Sequence, residues 1–513
     1  MKRLFIFLMA CIISTGLASQ TNNNALLYAK SINVNNIRRH IAVLSSDSVE
    51  GRRTGEPGAK KAAGYIAAAY GCAGLKAPVN GSWFMDVPIV KTEFYVTGFS
   101  VNNHHFKFNK SFFVNDSYAS GAIRSRNVIF VGYGTNSEIE NIDLNQKVLL
   151  WINEDKPMAG DAGNTSGRFS DNRKLILHKL ESKHPAIILA INADVPGVLI
   201  RYRKSITGPR LSISADLAGK VPIFLADTVI AGAISKTGCK YYADLKQEAS
   251  HDNFRAYSIG AHFEASYNTN ITNIDAANVL GLIPGSDLKD ELLVLSAHYD
   301  HLGLNDTGAD RINNGADDNA SGIAAILEIA AAFSEAQKHG HGPRRSVLFL
   351  ATVAEEEQLL GSAYYCDHPL KPLINTVADL NVDMIGRTGS EYLGKPDSAN
   401  YVYSIGSARH GTELRAINEN VNNLYTKLKI DYTYDAPDDS NRFYYRSDQY
   451  SFASKGVPVI FYFNGLHADY HQPSDEVDKI NCNLLVKRAE LIFYTAWELA
   501  NREKRPTVDA QFN

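Results

Sequence analysis

The sequence has little net charge, few cysteines and no second long apolar run after its first 19 residues. Its 52 basic and 55 acidic side chains give a formal charge of −3 over 513 residues. A near-neutral chain of this kind lacks the basic surface that binds nucleic acids or acidic membranes, so neither partner is expected. There is also no repeat of fixed period and no long low-complexity tract. The length and the 45% hydrophobic share predict a globular protein of two or three domains.

The cysteines argue against a thiolate metal site. Four of them follow the first segment, at Cys72, Cys239, Cys366 and Cys482. No two of these have the spacing of a zinc-binding cysteine pair. An exported chain could oxidise them, and the sequence leaves their pairing open.

The first 19 residues are typical of a secretory signal peptide. Lys2 and Arg3 precede the apolar stretch LFIFLMACIISTGLA, which ends near the small residues Ala18 and Ser19. The stretch is too short for a membrane span and no other follows, so no transmembrane segment is expected. A lipoprotein signal with Cys11 as the lipidated residue is the alternative. In both cases we expect the mature chain to be periplasmic or extracellular.

Three parts of different character follow the signal. Residues 20–104 contain two helical patterns, the second ended by Gly71 and Gly74. Residues 105–255 contain short apolar, β-branched runs separated by turn residues, and they predict a mostly β module. The runs are NVIFVGYG, KVLLWIN, PAIILAIN and VPIFLA.

Residues 256–513 alternate strands with helices. ELLVLSAHYD is followed by SGIAAILEIAAAFSEAQ and then by SVLFLATVA, and TVADLNVDMIG and VPVIFYF predict further strands of the same sheet. This order predicts βαβ units, and therefore an α/β fold with a mixed, mainly parallel central sheet flanked by helices. In such sheets the chemistry gathers at the carboxyl ends of the strands.

Potential metal ligands follow each of these strands. They are His298, Asp300, His301, Asp317, Asp318, Glu355, Glu356, Glu357, Asp383, His467, His471 and Asp475. Taken singly, each has an ordinary explanation, such as a helix cap or a structural histidine. Together at one sheet edge they would form a dense negative pocket, which divalent cations stabilise most simply. Imidazole and carboxylate without thiolate suit zinc in a catalytic site.

Two metal ions need about two histidines and three carboxylates, one of which bridges. A further carboxylate, not bound to metal, is then needed to take a proton from the attacking water. The run Glu355, Glu356 and Glu357 directly after a strand offers both functions. One glutamate of the run can bind metal while its neighbour acts as the general base.

Six motifs occur in order through this part: SAHYDHLG, NNGADDNASG, ATVAEEEQLLGS, LNVDMIGR, RSDQYSF and DYHQPSDEVDKI. In these motifs the chain resembles the exported co-catalytic zinc aminopeptidases, the aminopeptidase Y or leucyl aminopeptidase type. Relatives of that family include glutamate carboxypeptidases and glutaminyl cyclases. The segment SSDSVEGRRTGEPGAKKAAGYI resembles the family's N-terminal segment, and residues 105–255 resemble its inserted protease-associated domain. The resemblance implies the zinc-dependent exopeptidase fold, with residues 20–104 and 256–513 forming one catalytic domain.

The resemblance also implies two zinc ions per chain, with cobalt or manganese as possible substitutes. Its implied ligands are His298 and Asp383 for one ion, Glu356 and His471 for the other, and Asp318 as the bridge. Counting back from Gly361 and Ser362 places the general base at Glu355. A slip of one place, with Glu356 as base and Glu357 as ligand, is the alternative.

The same resemblance implies supporting residues around the ligands. Asp300 would orient His298, and Asp475 would do the same for His471, because metal-bound imidazoles usually need such partners. An oxyanion-stabilising tyrosine falls on Tyr470 in some relatives and on Tyr444 in others. The choice between the two stays open at this point.

The expected activity is removal of N-terminal residues from peptides. A carboxypeptidase or dipeptidase on the same scaffold would need cations for a substrate carboxylate, and Arg387, Arg442 and Arg446 lie near the motifs. A glutaminyl cyclase would use one zinc, and a non-catalytic binding homologue would lack ligands, whereas all five are present. The inserted module is expected to guide substrate beside the cleft, with a passive spacer as the alternative.

Overall fold

The computed structural model of the protein describes residues 23–157, 170–202, 206, 208–236 and 241–508. The predicted signal peptide, Cys11 and Cys239 lie outside these residues. The chain divides into two compact units. The main unit consists of the chain up to Ile89 and from Ile274 onward, and the inserted unit is Val90–Asn273.

The strands and helices alternate along most of the described chain. The strands are β1 (Phe84–Asp86), β2 (Val90–Val101), β3 (His104–His105), β4 (Phe112–Phe113), β5 (Gly121–Phe130), β6 (Val148–Ile152), β7 (Ile187–Ile191), β8 (Arg210–Ser212), β9 (Ile223–Ala226), β10 (Tyr257–Asn273), β11 (Ala277–Ile283), β12 (Leu288–His298), β13 (Arg345–Thr352), β14 (Thr376–Val382), β15 (Tyr401–Ile405), β16 (Lys429–Asp431) and β17 (Val459–Phe463). After a helix over 23–29, the α-helices are α1 (Val34–Leu44), α2 (Pro57–Ala73), α3 (Asn136–Ile139), α4 (Asp171–Glu181), α5 (Val195–Arg201), α6 (Thr228–Ser235), α7 (Tyr242–Ser250), α8 (Gly322–Lys338), α9 (Leu360–Asp367), α10 (Glu413–Val421), α11 (Gln449–Ala453) and α12 (Cys482–Asn501).

An eight-stranded mixed sheet forms the core of the main unit, in the order β1-β11-β13-β12-β14-β17-β15-β16. Its four central strands, β13, β12, β14 and β17, run parallel, which confirms the predicted parallel core. Strands β13, β14 and β17 are buried at every position. Because both faces are covered, these strands have nearly continuous apolar sequences rather than alternating ones.

The helices of the main unit follow ordinary sequence signals. Helix α2 has proline at its first position, and it ends at Gly74, whose φ of 90° places it in the left-handed region that favours glycine. Helix α8 is rich in alanine and buried along nearly its whole length. It therefore packs as a core helix, and its first turn lies beside the ligand-bearing loops.

A nine-stranded sheet forms the inserted unit, with the path β3-β2-β10-β5-β6-β7-β9-β4 and with β8 beside β2. The four predicted apolar runs all contribute strands, β5, β6, β7 and β9, which pair in parallel. Parallel strands need crossover connections, so the unit also contains helices α3–α7 and is less purely β than expected. Antiparallel pairing of β2 with β10 reaches from Val101 opposite Phe263 to Val90 opposite Asn273. The unit is thus wider than the predicted 105–255.

In the described part of the chain, no helix combines the length and the apolar character needed to cross a bilayer. Among the described cysteines, Cys72 is exposed, Cys366 and Cys482 are buried, and all three are free thiols.

Candidate metal centre

The loops that follow the parallel strands, together with the turn before α8, bring the predicted ligands to one edge of the main sheet. They carry His298 at the end of β12, Asp318 in the turn Ala316–Ser321, Glu355 and Glu356 after β13, Asp383 directly after β14, and His471 beyond β17. The peptide bond between Asp318 and Asn319 is cis. Except for His471, which is half-buried, these side chains are buried or nearly so.

One group of donor atoms surrounds His298. Its Nε2 lies 3.3 Å from Oδ1 of Asp383 and 3.3 Å from Oδ1 of Asp318. Oε2 of Glu355 is 3.9 Å from the same nitrogen. Donor atoms of His298, Glu355 and Asp383 all lie within 4.8 Å of one another, close enough to surround a single metal ion.

A second group lies beside the first, and Asp318 belongs to both. Nε2 of His471 is 3.1 Å from Oδ2 of Asp318 and 3.3 Å from Oε2 of Glu356. Asp318 therefore turns one carboxylate oxygen toward each histidine. That is the arrangement a bridging carboxylate needs between two metal ions.

His301 joins the second group, although it was only one of the potential ligands in the sequence and not one of the five assigned to the two ions. Its Nδ1 is 2.8 Å from Oε1 of Glu356 and 3.7 Å from Oδ2 of Asp318. Its Nε2 is buried and has no hydrogen-bond partner in the described part of the chain. Its position three residues after His298, in the same strand-end loop, is the signal that made it a potential ligand.

Glu357 lies outside both groups. Its carboxylate faces the guanidinium of Arg53 at 3.9 Å. The three consecutive glutamates therefore point in three directions: Glu355 toward His298, Glu356 toward His301 and His471, and Glu357 toward the arginine.

Asp300 lies beside His298, as expected, and also holds the backbone of Glu355. Its carbonyl oxygen is 3.1 Å from Nδ1 of His298, and its carboxylate Oδ1 is 3.8 Å from that nitrogen. The carboxylate accepts hydrogen bonds from the N–H of Glu355 at 3.1 Å and from the hydroxyl of Thr54 at 3.0 Å. Asp300 thus connects the imidazole of the first group to the loop that carries the glutamates.

The prediction that Asp475 orients His471 differs from what the structure shows. Oδ2 of Asp475 instead accepts from the N–H groups of Asp317 and Asp318, at 2.9 and 3.1 Å. N–H groups at the start of a helical turn lack intrahelical partners, so a nearby carboxylate satisfies them. Asp475 therefore fixes the backbone of Asp318, while His467 forms a separate pair with Asp317 at 3.1 Å.

The two candidate tyrosines have different surroundings. The ring of Tyr470 stacks on that of His471 with centroids 3.8 Å apart, and its hydroxyl accepts a hydrogen bond from Nη2 of Arg446 at 3.2 Å. Tyr444 instead packs beneath the guanidinium of Arg409, 4.6 Å from the ring centroid. Of the two, Tyr470 is the one beside the donor groups.

A cavity of about 630 Å³ opens onto the donor groups. Its apolar wall includes Met384, Phe443, Phe461, Phe463 and Leu466, and Tyr470 and Arg446 also line it. A volume of this order suits a small organic ligand or part of a peptide.

Burial and close charges shift the pKa values of Glu355, His298 and His471. Burial, with the neighbouring Asp383 and Glu356 carboxylates, raises the pKa of Glu355 well above its usual range, against the opposing effect of His298. Burial opposes a charged imidazole, yet the carboxylates of Asp383 and Glu355 raise the pKa of His298 well above its usual range. Against burial, hydrogen bonds to Asp318 and Glu356 raise the pKa of His471 to about 10. A buried set of carboxylates that needs cations, with imidazole and no thiolate, fits two zinc ions.

Residues 278–496 match peptidase family M28, a range that includes both donor groups. Aminopeptidase YwaD of Bacillus subtilis (strain 168) is 25% identical over 248 residues, which cover 46% of this chain and 47% of that protein. Leupeptin-inactivating enzyme 1 of Streptomyces exfoliatus is 28% identical over 245 residues, which cover 43% of this chain and 48% of that protein. The chain spans about half the length of the curated relatives it matches.

Among solved structures, an aminopeptidase from Aneurinibacillus sp. strain AM-1 is similar over 94% of this chain and 98% of its own. The TM-score is 0.54 and the sequence identity is 17%. This likeness confirms the mixed α/β fold that the sequence predicts.

Proposed function

We propose that this chain, whose residues 278–496 match peptidase family M28, is a two-zinc aminopeptidase, which removes N-terminal residues from peptides. The observation that carries the proposal is Asp318, whose two carboxylate oxygens face His298 and His471 separately. A shared carboxylate between two mixed histidine and carboxylate groups is what a pair of catalytic metal ions requires.

The proposed ligands divide between the two groups. His298 and Asp383 would hold one zinc ion, His471 and Glu356 the other, and Asp318 both. The position of Glu357 beside Arg53 supports Glu356 as the ligand and Glu355 as the base, rather than the assignment shifted by one place. When bound, zinc supplies a Lewis acid that polarises the substrate carbonyl and lowers the pKa of water.

Glu355 is the proposed general base. Its carboxylate is buried and lies 3.9 Å from Nε2 of His298, and its backbone N–H donates to Asp300. A carboxylate in this position can take a proton from the attacking water and deliver it to the leaving amine.

Tyr470 is the proposed donor to the oxyanion of the tetrahedral intermediate. Because its oxygen accepts the hydrogen bond from Arg446, its own proton remains free to donate. Stacking on His471 fixes the ring beside the second donor group. A preorganised donor at the place where negative charge develops is among the largest catalytic contributions known.

The apolar wall of the cavity favours substrates whose N-terminal residue has an apolar side chain. Phe443, Phe461, Phe463 and Leu466 offer surface that a leucine-like group could cover. Side-chain preference then follows from how well that surface is filled, because one methylene in such a pocket changes binding by about 1–3 kcal/mol.

A dipeptidase is the second candidate, and Arg446 is the observation that favours it. Its guanidinium lines the cavity, contacts the Tyr470 hydroxyl and the Phe443 ring, and has no carboxylate partner among the described residues. Arg387 is unsuitable because Asp469 pairs with it at 2.9 Å. A free arginine near the reacting groups could hold the carboxylate at the end of a dipeptide.

We also propose that the protein acts outside the cytoplasm. What supports this is the sequence of the first 19 residues, in which two basic residues precede one apolar stretch.

Metal reconstitution tests the proposed function. The protein is stripped with a chelator, dialysed and titrated with zinc, while bound zinc and hydrolysis of leucine amide are followed together. We expect two zinc ions per chain and hydrolysis that appears only as they bind. The proposal would be contradicted if the chelator-treated protein hydrolysed leucine amide at the full rate, or if the protein bound no zinc in the titration.

A further inference from the structure

Arg52 is a fully buried cation beside the metal centre, and backbone carbonyl groups occupy all of its donors. Nε donates to the carbonyl of Tyr299 at 2.8 Å. Nη1 donates to the carbonyls of Leu44 and of Asn314, the latter at 2.6 Å. Nη2 donates to those of Gly315 at 2.9 Å and Asp318 at 3.3 Å. The five N–H groups of the guanidinium thus meet five carbonyl oxygens.

Three of these carbonyls belong to one loop. Asn314 and Gly315 directly precede the turn Ala316–Ser321, and Asp318 lies within it and turns its carboxylate toward both donor groups. The loop passes very close to the guanidinium, since a Cβ on Gly315 would lie 2.8 Å from Nη2 of Arg52. The arginine thus contacts the backbone both before the turn and within it.

The main chain around Arg52 holds the neighbouring loop. The carbonyl of Arg52 accepts from the N–H of His301 at 3.2 Å, and that of Gly51 accepts from the N–H of Gly303 at 2.9 Å. The hydroxyl of Thr54 donates to Asp300, whose carboxylate also holds the N–H of Glu355. The segment from Gly51 to Thr54 thus contacts the loops that carry His298, Asp318 and Glu355.

The backbone at Arg52 and the two residues before it has an uncommon conformation. Glu50, Gly51 and Arg52 have φ values of 52°, 68° and 51°, three consecutive residues in the left-handed region. A Cβ on Gly51 would lie 2.6 Å from the carbonyl oxygen of Asn313. Such a conformation costs free energy at non-glycine residues, so it persists only where the surrounding contacts fix it.

We infer that Arg52 is a positioning residue of the metal centre, which fixes the loop of Asp318 and with it the bridging carboxylate. It lies outside the range 278–496 that matches the family, so the centre depends on a part of the chain more than two hundred residues earlier. We call Arg52 and its five carbonyl partners the Arg52 clamp. The inference rests on the proposed metal site for its consequence, but the clamp itself belongs to the metal-free protein.

The clamp requires the shape of the guanidinium as well as its charge. A lysine at position 52 would keep the charge but has three donors on one nitrogen, so at least two of the five buried carbonyls would lose their partner. Loss of a partner for a buried polar group is costly, and the loop would shift to reach other partners. Residues that orient metal ligands typically change metal affinity by about 10–100-fold when they are replaced.

The experiment compares Arg52→Lys and Arg52→Met with the wild type, and uses Arg53→Met as the matched control. Arg53 is the next residue, its side chain is 43% exposed, and its nearest acidic partner is Glu357 at 3.9 Å. Hydrogen exchange is measured on the chelator-treated proteins, and zinc affinity is measured by competition with a chromophoric chelator. The visible absorption of the cobalt-substituted proteins reports the geometry of the ligands.

We expect Arg52→Lys to exchange faster at the amides of His301, Gly303, Ala316, Asp317 and Asp318, each of which donates a hydrogen bond in this region. The amides of β12–β14 should stay protected. Zinc affinity should fall about 10–100-fold, with an altered cobalt spectrum. Arg53→Met should match the wild type in all three measurements.

Unchanged local exchange and unchanged zinc affinity in Arg52→Lys would overturn the inference. So would faster exchange throughout β12–β14, because Arg52 would then support the fold in general rather than this loop. If the wild type bound no zinc, the proposed function would fail, and the exchange measurement would still decide whether the clamp exists. Should Arg52→Met fail to fold, Arg52→Lys alone decides.

Discussion

Glu355 and Glu356 are adjacent in sequence, yet their carboxylates belong to different donor groups. Oε2 of Glu355 lies 3.9 Å from Nε2 of His298, whereas Oε2 of Glu356 lies 3.3 Å from Nε2 of His471. We propose that the acidic residues after strand β13 have two different functions. One carboxylate can hold metal while the other remains available to move a proton.

Glu355→Gln should keep both zinc ions and lose most of its turnover. Glutamine retains the size of the side chain but cannot take the proton of the attacking water, and general-base catalysis is worth about 10²–10⁴-fold. The measurement is kcat for leucine amide beside the zinc content of the same sample. Glu357→Gln is the matched control, since Glu357 faces Arg53, and its kcat should stay within about twofold of the wild type. A zinc-loaded Glu355→Gln protein with wild-type turnover would remove Glu355 from the mechanism.

Tyr470→Phe should lower kcat and leave zinc binding intact. The substitution removes only the hydroxyl that we propose as the oxyanion donor, and loss of one such donor costs about 10²–10³-fold in kcat. Tyr444→Phe is the control, because that ring packs under Arg409. If Tyr444→Phe lost turnover and Tyr470→Phe did not, the assignment of the two tyrosines would be reversed.

Zinc affinity should rise with pH through the neutral range. His471, with its pKa raised to about 10 in the metal-free centre, must lose a proton before it can bind zinc. Isothermal titration in buffers of different ionisation enthalpy, at pH 6, 7 and 8, measures the affinity and the protons released. Affinity that does not change with pH would contradict the protonated state of the metal-free site.

The same shift predicts how the stability of the metal-free protein depends on pH. The pKa of His471 in the folded protein lies above its ordinary value of 6.5, so the protonated ring stabilises the fold. That contribution is fully present below about pH 6.5 and is lost as pH rises toward 10. The melting temperature of the metal-free wild type should therefore fall across this window relative to His471→Gln. Parallel curves for the two proteins would refute this reading.

Arg446→Met should impair cleavage of leucyl-alanine more than cleavage of leucyl-alanine amide. Only the first substrate has a terminal carboxylate, and loss of its contact with a guanidinium should raise KM about tenfold, or about 1.4 kcal/mol. Arg442→Met is the control, because Arg442 stacks on Tyr445. Since Arg446 also touches Tyr470, the ratio between the two substrates is the informative quantity. An unchanged ratio would exclude Arg446 as a carboxylate-binding residue.

The sequence predicted the central sheet well because its strands are buried on both faces. Continuous apolar runs such as those of β13 and β17 predict strands in the middle of a sheet that is covered on both faces. The edges of the inserted unit were harder to predict. Strand β2 mixes partly buried, exposed and buried residues without a regular period, and it pairs with β10 more than one hundred and fifty residues later. Local patterns carry little information about a pairing at that distance.

The candidate site was predictable in its residue types but not in its contacts. Strand-end positions and the shared edge of a parallel sheet brought His298, Asp318 and Asp383 together as expected. The partner of Asp475, the place of His301 and the difference between Tyr470 and Tyr444 depend on the direction of each side chain. Those directions follow from loop conformation, which the sequence does not encode in a local pattern.

The most direct test of the central claim is the fate of two matched peptides. A six-residue peptide with leucine first, free in one sample and N-acetylated in the other, is incubated with the zinc-loaded protein and followed by mass spectrometry. We predict stepwise loss of N-terminal residues from the free peptide and no change in the acetylated one. Shortening of both peptides from the C-terminus, or cleavage of neither, would contradict an aminopeptidase.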